Sequence, residues 1–144
     1  MSEWITGRNP AFEILRADRR QINRLWIAQG ARRQGRLAEI IDLAHQRRTP
    51  VENVSRSNLN GIDPHHQGLA LEVGGYPYSD LEHIIQRANS NEEAIFVLLL
   101  DQIQDPQNFG TLLRSAEAFG VHGVILPLAR SASVTPAVVN ASSG

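Results

Sequence analysis

Apolar and polar positions along the chain follow a changing rhythm that predicts helices and strands in alternation. Asn9-Pro10 opens a helix over 11–18, with the proline near the first turn, where its missing N–H costs little. Residues 22–28 (INRLWIA) alternate at first and then become wholly apolar, as a strand does. Over 34–48 the residues Leu37, Ile40, Ile41 and Ala44 recur at i, i+3, i+4 and i+7, the stripe of an amphipathic helix, and Pro50 ends it. Residues 51–54 predict a short strand, 55–60 a helical turn stopped by Gly61, and 68–73 (GLALEV) a further alternating strand.

A breaker cluster, Gly74-Gly75-Tyr76-Pro77-Tyr78, separates this half from the next. Residues 79–88 predict a helix that Ser79 could cap, with Glu82 in its first turn. After Asn89-Ser90-Asn91, residues 94–100 form the longest apolar run and read as a buried strand, far too short to span a bilayer. Residues 105–110 read as a turn, 111–119 as a helix with Gly120 as its left-handed stop, and 121–126 as another strand. From Ala129 the sequence turns small and polar. Strand–helix–strand order over 94–126 predicts a right-handed βαβ unit with parallel strands. One such unit cannot cover both faces of a parallel sheet, so the second domain is expected to be incomplete. The pattern divides into a first domain over 1–74, a linker over 75–92 and a second domain over 93–144.

Composition adds little to this until charge is placed along the chain. At 144 residues and 42% hydrophobic content the chain can build a packed core. It has no cysteine, which excludes disulfides and thiolate metal sites and fits a cytoplasmic protein. The N-terminal residues lack the basic and apolar regions of a signal peptide. The net charge of −1 hides an asymmetry: residues 1–60 hold eleven Arg and six acids, residues 61–144 three Arg and nine acids. All basic residues are Arg, whose planar fork binds phosphate in bidentate fashion and stacks on bases. A basic front half suggests a polyanionic partner, although an ordinary solvated face has the same composition.

The candidate chemistry lies in residues 100–116 (LDQIQDPQNFGTLLRSA), where a parallel strand ends and a helix begins. Ligand sites of open α/β sheets sit at strand carboxyl ends. Asn108 is placed to cap the helix. Gly110 allows a ligand or another segment to approach the backbone. Arg114, about one turn into a helix that starts at 111, could reach a phosphate held at the helix N-terminus. Read blandly, the three residues cap, turn and make a surface ion pair.

This stretch resembles motif 1 of the SpoU (TrmH) family of RNA ribose 2′-O-methyltransferases, D-P-x-N-x-G-x-x-x-R-x-A-x-x-x-G. It matches at Asp105, Pro106, Asn108, Gly110, Arg114, Ala116 and Gly120. Residues 121–126 (VHGVIL), Val134-Thr135-Pro136 and Ala141-Ser142-Ser143-Gly144 also look like the family, as do Gly7-Arg8-Asn9-Pro10 and His66-Gln67-Gly68 in the front domain. The resemblance implies an α/β protein. A small L30e-like α/β/α sandwich for RNA substrate binding would be followed by a linker and the first part of a SPOUT-type, knotted Rossmann-like catalytic domain. Motifs 2 and 3, which form the trefoil knot and bind S-adenosyl-L-methionine, are not present, so the methyl-donor site is expected beyond Gly144.

The family assigns its motif 1 arginine, here Arg114, to the ribose 2′-OH. A guanidinium is a poor base, so Arg114 is read chiefly as a phosphate clamp that orients the ribose, and as a base only in a strongly perturbing site, with Asn108 fixing the loop and contacting Arg114 or substrate. Arg8, Arg32, Arg33 and Arg36 are the candidates for contact with the RNA backbone. Gly7 and Gly68 read as backbone devices. His65-His66 has no companion ligands at metal spacing, so no metal is expected, and His66 could order the turn before the Gly68 strand. Ser142 and Ser143 have no histidine placed for a nucleophilic triad. The resemblance implies methyl transfer to a guanosine ribose of 23S rRNA by the complete protein, with transfer RNA and an adenosine of the ribosome open as substrates, no membrane association and a homodimer through the knot domain. The other reading is a non-catalytic RNA-binding module of L30e type.

Overall fold

A computed structural model describes residues 2–127 and 132–143. The chain divides into two compact units, one over 1–76 and one over 77–142.

The first unit is built on a four-stranded mixed sheet. Strands β1 (Ser2–Thr6), β2 (Ile22–Ala28), β3 (Val51–Val54) and β4 (Leu69–Gly74) lie in the order β1-β4-β2-β3. β4 runs antiparallel to both β1 and β2, and β3 runs parallel to β2. The carboxyl ends of β1, β2 and β3 therefore meet the amino end of β4 at one end of the sheet. Period-two alternation sorts the side chains: Ile5, Leu25, Ile27, Leu69, Leu71 and Val73 are fully buried on one face. Helices α1 (Arg8–Ala17) and α2 (Arg36–Gln46) pack together and complete that core through Ala11, Ile14, Leu15, Leu37, Ile40, Ile41 and Ala44. On the other face Ala28 and Ala70 meet Leu59 of the short helix α3 (Arg56–Asn60). Helices on both faces give the expected α/β/α sandwich. Trp4 and Trp26 extend this second face as a tilted pair with ring centroids 4.3 Å apart. The Arg24 guanidinium lies over both rings and bonds Glu72, while the Trp26 indole N–H donates to Glu52.

The expected strands over 22–28 and 51–54 form as read, and that over 68–73 is displaced by one residue. β1 has no counterpart in the sequence reading. It is held by β4, with Ile5 opposite Leu71 and Trp4 opposite Glu72.

In the second unit β5 (Val97–Leu99) and β6 (Gly123–Ile125) pair in parallel, with α5 (Pro106–Ala118) between them in sequence. Helix α4 (Leu81–Ser90) precedes them, inside the segment read as a linker, and starts after Asp80 rather than Ser79. Ile84 of α4 abuts Gly123: a Cβ there would collide with the Ile84 side chain. His122 fastens the start of β6. Its Nδ1 accepts the Phe96 N–H at 3.1 Å, and its Nε2 lies 2.8 Å from the Glu93 carboxylate.

Two expectations are corrected here. The apolar run 94–100 is not a buried strand: Ile95, Phe96 and Leu99 are exposed and only Leu100 is buried. A two-stranded sheet lays too little protein over the run. The segment after 129 is not merely small and polar, because Pro136–Ser142 forms helix α6, which buries Val138 and Val139. The VTP segment before it is held by Tyr78, whose hydroxyl accepts the Val134 N–H at 2.8 Å. The expectation for 129–131 lies outside the described residues, as does Gly144. No helix among the described residues is long and apolar enough to cross a membrane.

Candidate nucleic-acid interface and active-site helix

Three arginines of the first unit stand just beyond the carboxyl ends of three strands. Arg8 follows β1, Arg32 follows β2 and Arg56 follows β3. Together with Gln34, His65 and Gln67 they line a groove of about 760 Å³ at that end of the sheet. Among the described residues no carboxylate lines it. Residues 64–68 of the turn before β4 line it too, and that turn is tied from both sides. His66 is buried, accepts the Gly68 N–H at Nδ1 (2.8 Å) and faces the Asn60 side-chain oxygen with Nε2 (3.1 Å). Both ring nitrogens are thereby used, and the ring orders the turn as the sequence suggested. Asp63 takes the Thr6 hydroxyl and the His65 N–H. These hydrogen bonds, the Thr6 hydroxyl first and the His65 amide next, hold its carboxyl below the usual aspartate range. Gln67 then accepts the Arg8 backbone N–H on its side chain (2.9 Å) and the Arg8 Nε–H on its carbonyl (3.3 Å). Gly7 and Gly68 at the rim have φ of 90° and 88°, which only glycine adopts without strain.

The four arginines expected to meet RNA are split by the structure. Arg8 and Arg32 line the groove. Arg33 lies outside its lining and donates to the Asn53 side-chain oxygen at 2.9 Å. Arg36 is paired with Glu39 at 2.6 Å and lies 4.0 Å over the Phe12 ring. Arg56 is a groove residue that the sequence reading missed. Its signal is Ser55-Arg56: a helix-capping serine directly after a strand places the next side chain at the strand's end, as Gly7-Arg8 does after β1. Ser55 does cap α3, accepting the Asn58 N–H at 3.2 Å.

In the second unit the segment 105–120 is one helix and its ends, and the expected roles shift. Asp105 is the N-cap, accepting the Asn108 N–H at 2.7 Å, and Pro106 occupies the first helical position. Asn108 does not cap. It sits inside the first turn and offers only its backbone N–H to Asp105. The helix starts at 106, so Arg114 lies eight residues in, a rise of about 12 Å, and does not share the helix N-terminus. Gly110 faces α6 of the same chain: a Cβ there would come within 2.5 Å of Ala141 Cβ and 2.9 Å of both Ser142 N and Val138 O. Ala116 is buried, and Gly120, with φ of 69°, ends the helix.

Asn108 and Arg114 are left. Both are exposed, and neither side chain has a bonding partner among the described residues. They lie six residues apart, about 9 Å along the helix, and no hydrogen bond joins them. They share the polar face of Gln107, Thr111 and Ser115, all exposed.

An arginine-lined groove in one unit and, in the other, a helix with Asn108 and Arg114 side chains unbonded among the described residues mark an α/β protein with a surface suited to a polyanion. Comparison with known proteins fixes the family. Residues 4–79 match the family described as RNA 2′-O ribose methyltransferase substrate binding, and residues 95–144 match the SpoU rRNA methylase family. A TrmH-family tRNA/rRNA methyltransferase of Bacillus subtilis strain 168 is 32% identical over 143 residues, covering 99% of this chain and 57% of that protein. An uncharacterised tRNA/rRNA methyltransferase of Mycolicibacterium gilvum is 38% identical over 148 residues, covering 99% of this chain and 46% of that protein. The crystal structure of the SpoU methyltransferase AviRb from Streptomyces viridochromogenes, in complex with AdoMet, superposes with a TM-score of 0.76 at 22% identity, covering 99% of this chain and 51% of that one. The chain belongs to the SpoU family of RNA methyltransferases and shares the fold of its solved members. It spans about half the length of the relatives it matches.

Proposed function

We propose that the complete protein transfers a methyl group from S-adenosyl-L-methionine to a ribose 2′-hydroxyl of RNA, with a guanosine of 23S rRNA as the target and transfer RNA as the competing substrate. It would act in the cytoplasm as a homodimer. The observation that carries the proposal is the pair Asn108 and Arg114. Every other fixed position of the motif caps, starts, packs or ends α5, whereas these two are exposed polar groups with no side-chain partner among the described residues.

Methyl transfer to an alcohol needs the hydroxyl, its proton acceptor and the donor in line. Holding them so can supply much of the rate. A guanidinium keeps its proton and presents a planar array of donors, so Arg114 orients the sugar-phosphate next to the reacting hydroxyl. Asn108, able to donate and accept, positions the substrate from the same helix. The donor supplies the electrophilic methyl. The described residues of 77–142 do not by themselves fit it: no buried polar side chain there lacks a partner that the donor would satisfy. The reading therefore places the donor site outside these described residues.

In the complete protein Arg114→Ala is expected to reduce methyl transfer by at least about a hundredfold while the melting temperature stays unchanged. Near-normal turnover with radiolabelled donor would remove Arg114 from the mechanism. A second reading, a non-catalytic RNA-binding module, is favoured by the groove of the first unit, which is fully assembled within this chain. Donor-dependent methylation by the complete protein decides between them.

A further inference from the structure

The eleven arginines of the first unit differ in what they are doing. Arg16, Arg20, Arg24, Arg36 and Arg47 are each paired with a carboxylate, and Arg33 is bonded to Asn53. Arg32 and Arg56 have no side-chain partner among the described residues, and Arg8 spends only its Nε on a backbone carbonyl. Those three line the groove. Arg19 and Arg48, also without carboxylate partners among the described residues, precede β2 and β3 and so belong to the opposite end of the sheet.

The groove thus gathers three available guanidiniums from three successive strand ends, with no carboxylate among the described lining residues to neutralise them. It is poor in large aromatic planes, for that lining contains no Trp, Tyr or Phe and its one exposed aromatic ring is the His65 imidazole. The unit's tryptophans are stacked on each other under Arg24, and Phe12 lies under Arg36. Unpaired RNA is held mainly by stacking bases on aromatic side chains, whereas helical RNA is held through phosphates and 2′-hydroxyls by shape.

We infer that Arg8, Arg32 and Arg56 form a three-point phosphate clamp that takes the backbone of a folded, helix-containing RNA and reads little base sequence, with Arg56 as a contact residue. The inference rests on the reading of the groove as an RNA site. Guanidiniums carried at three strand ends of one sheet can each take a backbone phosphate. Gln34 and Gln67, whose amides can donate and accept, line the same groove and can meet 2′-hydroxyls.

The test uses the 144-residue chain, with fluorescence anisotropy on a labelled RNA hairpin and on an unstructured oligouridine of equal length, titrated over salt. The hairpin is expected to bind at least about tenfold more tightly, with a log–log salt slope of about −2 to −3 for three contacts. Arg56→Gln weakens hairpin binding several-fold and makes the slope shallower by about one. Arg56→Lys, which keeps the charge, retains the slope. Arg19→Gln, at the other end of the sheet, changes neither. Each variant's melting curve is compared with the parent, so a folding defect is seen directly. Equal binding of oligouridine overturns the folded-RNA assignment. An Arg56→Gln protein that binds as the parent does, while Arg8→Gln and Arg32→Gln weaken binding, overturns the three-point clamp and leaves the groove as an RNA site. A parent chain that binds neither RNA overturns both.

Discussion

Asp63 and Glu72 are single carboxylates whose hydrogen bonds tie distant parts of the first unit together. Asp63 takes the Thr6 hydroxyl and then the His65 amide, and Glu72 is bonded chiefly by Arg24 and then by Ser2. Each is held below its ordinary value, 3.8 for the aspartate and 4.5 for the glutamate. The unfolded chain therefore binds more protons than the folded one in mild acid. The stabilisation is complete above the ordinary values and is lost as pH falls through the lowered ones. The urea midpoint of the first unit is expected to be flat near neutrality and to drop progressively below about pH 5. Asp63→Asn and Glu72→Gln should start less stable at neutral pH and lose less on acidification, and a parent-like acid slope in both variants would refute this account. Residue identity made some roles legible and hid others. Asn and Asp are both good caps, so position alone could not choose Asn108 or Asp105. Pro106 was the deciding clue, because proline favours the position just after the cap. Arg32 was legible as a loop arginine and Arg8 as one beside a glycine turn, although Arg8 proves to be the first residue of α1, but nothing local showed that Arg36 would find Glu39 and Phe12, since pairing depends on side-chain placement.

At the scale of elements, strongly periodic segments declared themselves and weak ones did not. β2 and α2 carry their own pattern, so the sequence sufficed. β1 is five residues, SEWIT, with little alternation visible until Ile5 is set against Leu71 and Trp4 against Glu72; its identity comes from its partner. α6 (PAVVNAS) is seven residues, too short to be stable by propensity, and exists because α5 receives it at Gly110. That crossing makes a prediction of definite sign. Placing alanine for a helical glycine ordinarily gains up to about 1 kcal/mol. At Gly110 the new Cβ would meet Ala141 Cβ at 2.5 Å and the backbone atoms Ser142 N and Val138 O at 2.9 Å. Backbone cannot swing aside as a side-chain tip can, so Gly110→Ala is expected to destabilise the second unit by about 1–3 kcal/mol, read as a lower denaturant midpoint. A gain in stability would mean that α6 does not press on α5 in solution.

Across the whole molecule the decisive feature is the partition of charge. Residues 1–76 hold eleven arginines against eight acids, a net of +3, and residues 77–142 hold three against seven, a net of −4. The net charge of the chain conceals this, whereas counting by halves exposes the asymmetry from composition alone. What counting could not show is that five of the eleven arginines of the first unit are paired with carboxylates, and that the available ones on the groove side come from separate strand ends. The first unit has its own sheet, helices and buried core, which are the requirements for folding alone. Residues 1–76 produced by themselves are accordingly expected to fold and to bind an RNA hairpin with the same salt slope as the full chain, because the slope counts phosphate contacts, all three proposed groove contacts lie in this unit, and a hairpin that is not the methylation substrate is not seated at Arg114. Residues 77–142, with net negative charge, are expected to show no such binding at the same salt. A slope for 1–76 shallower by one or more than that of the full chain would place a phosphate contact on the second unit, and Arg114, its exposed cation on α5, would be the first residue to replace.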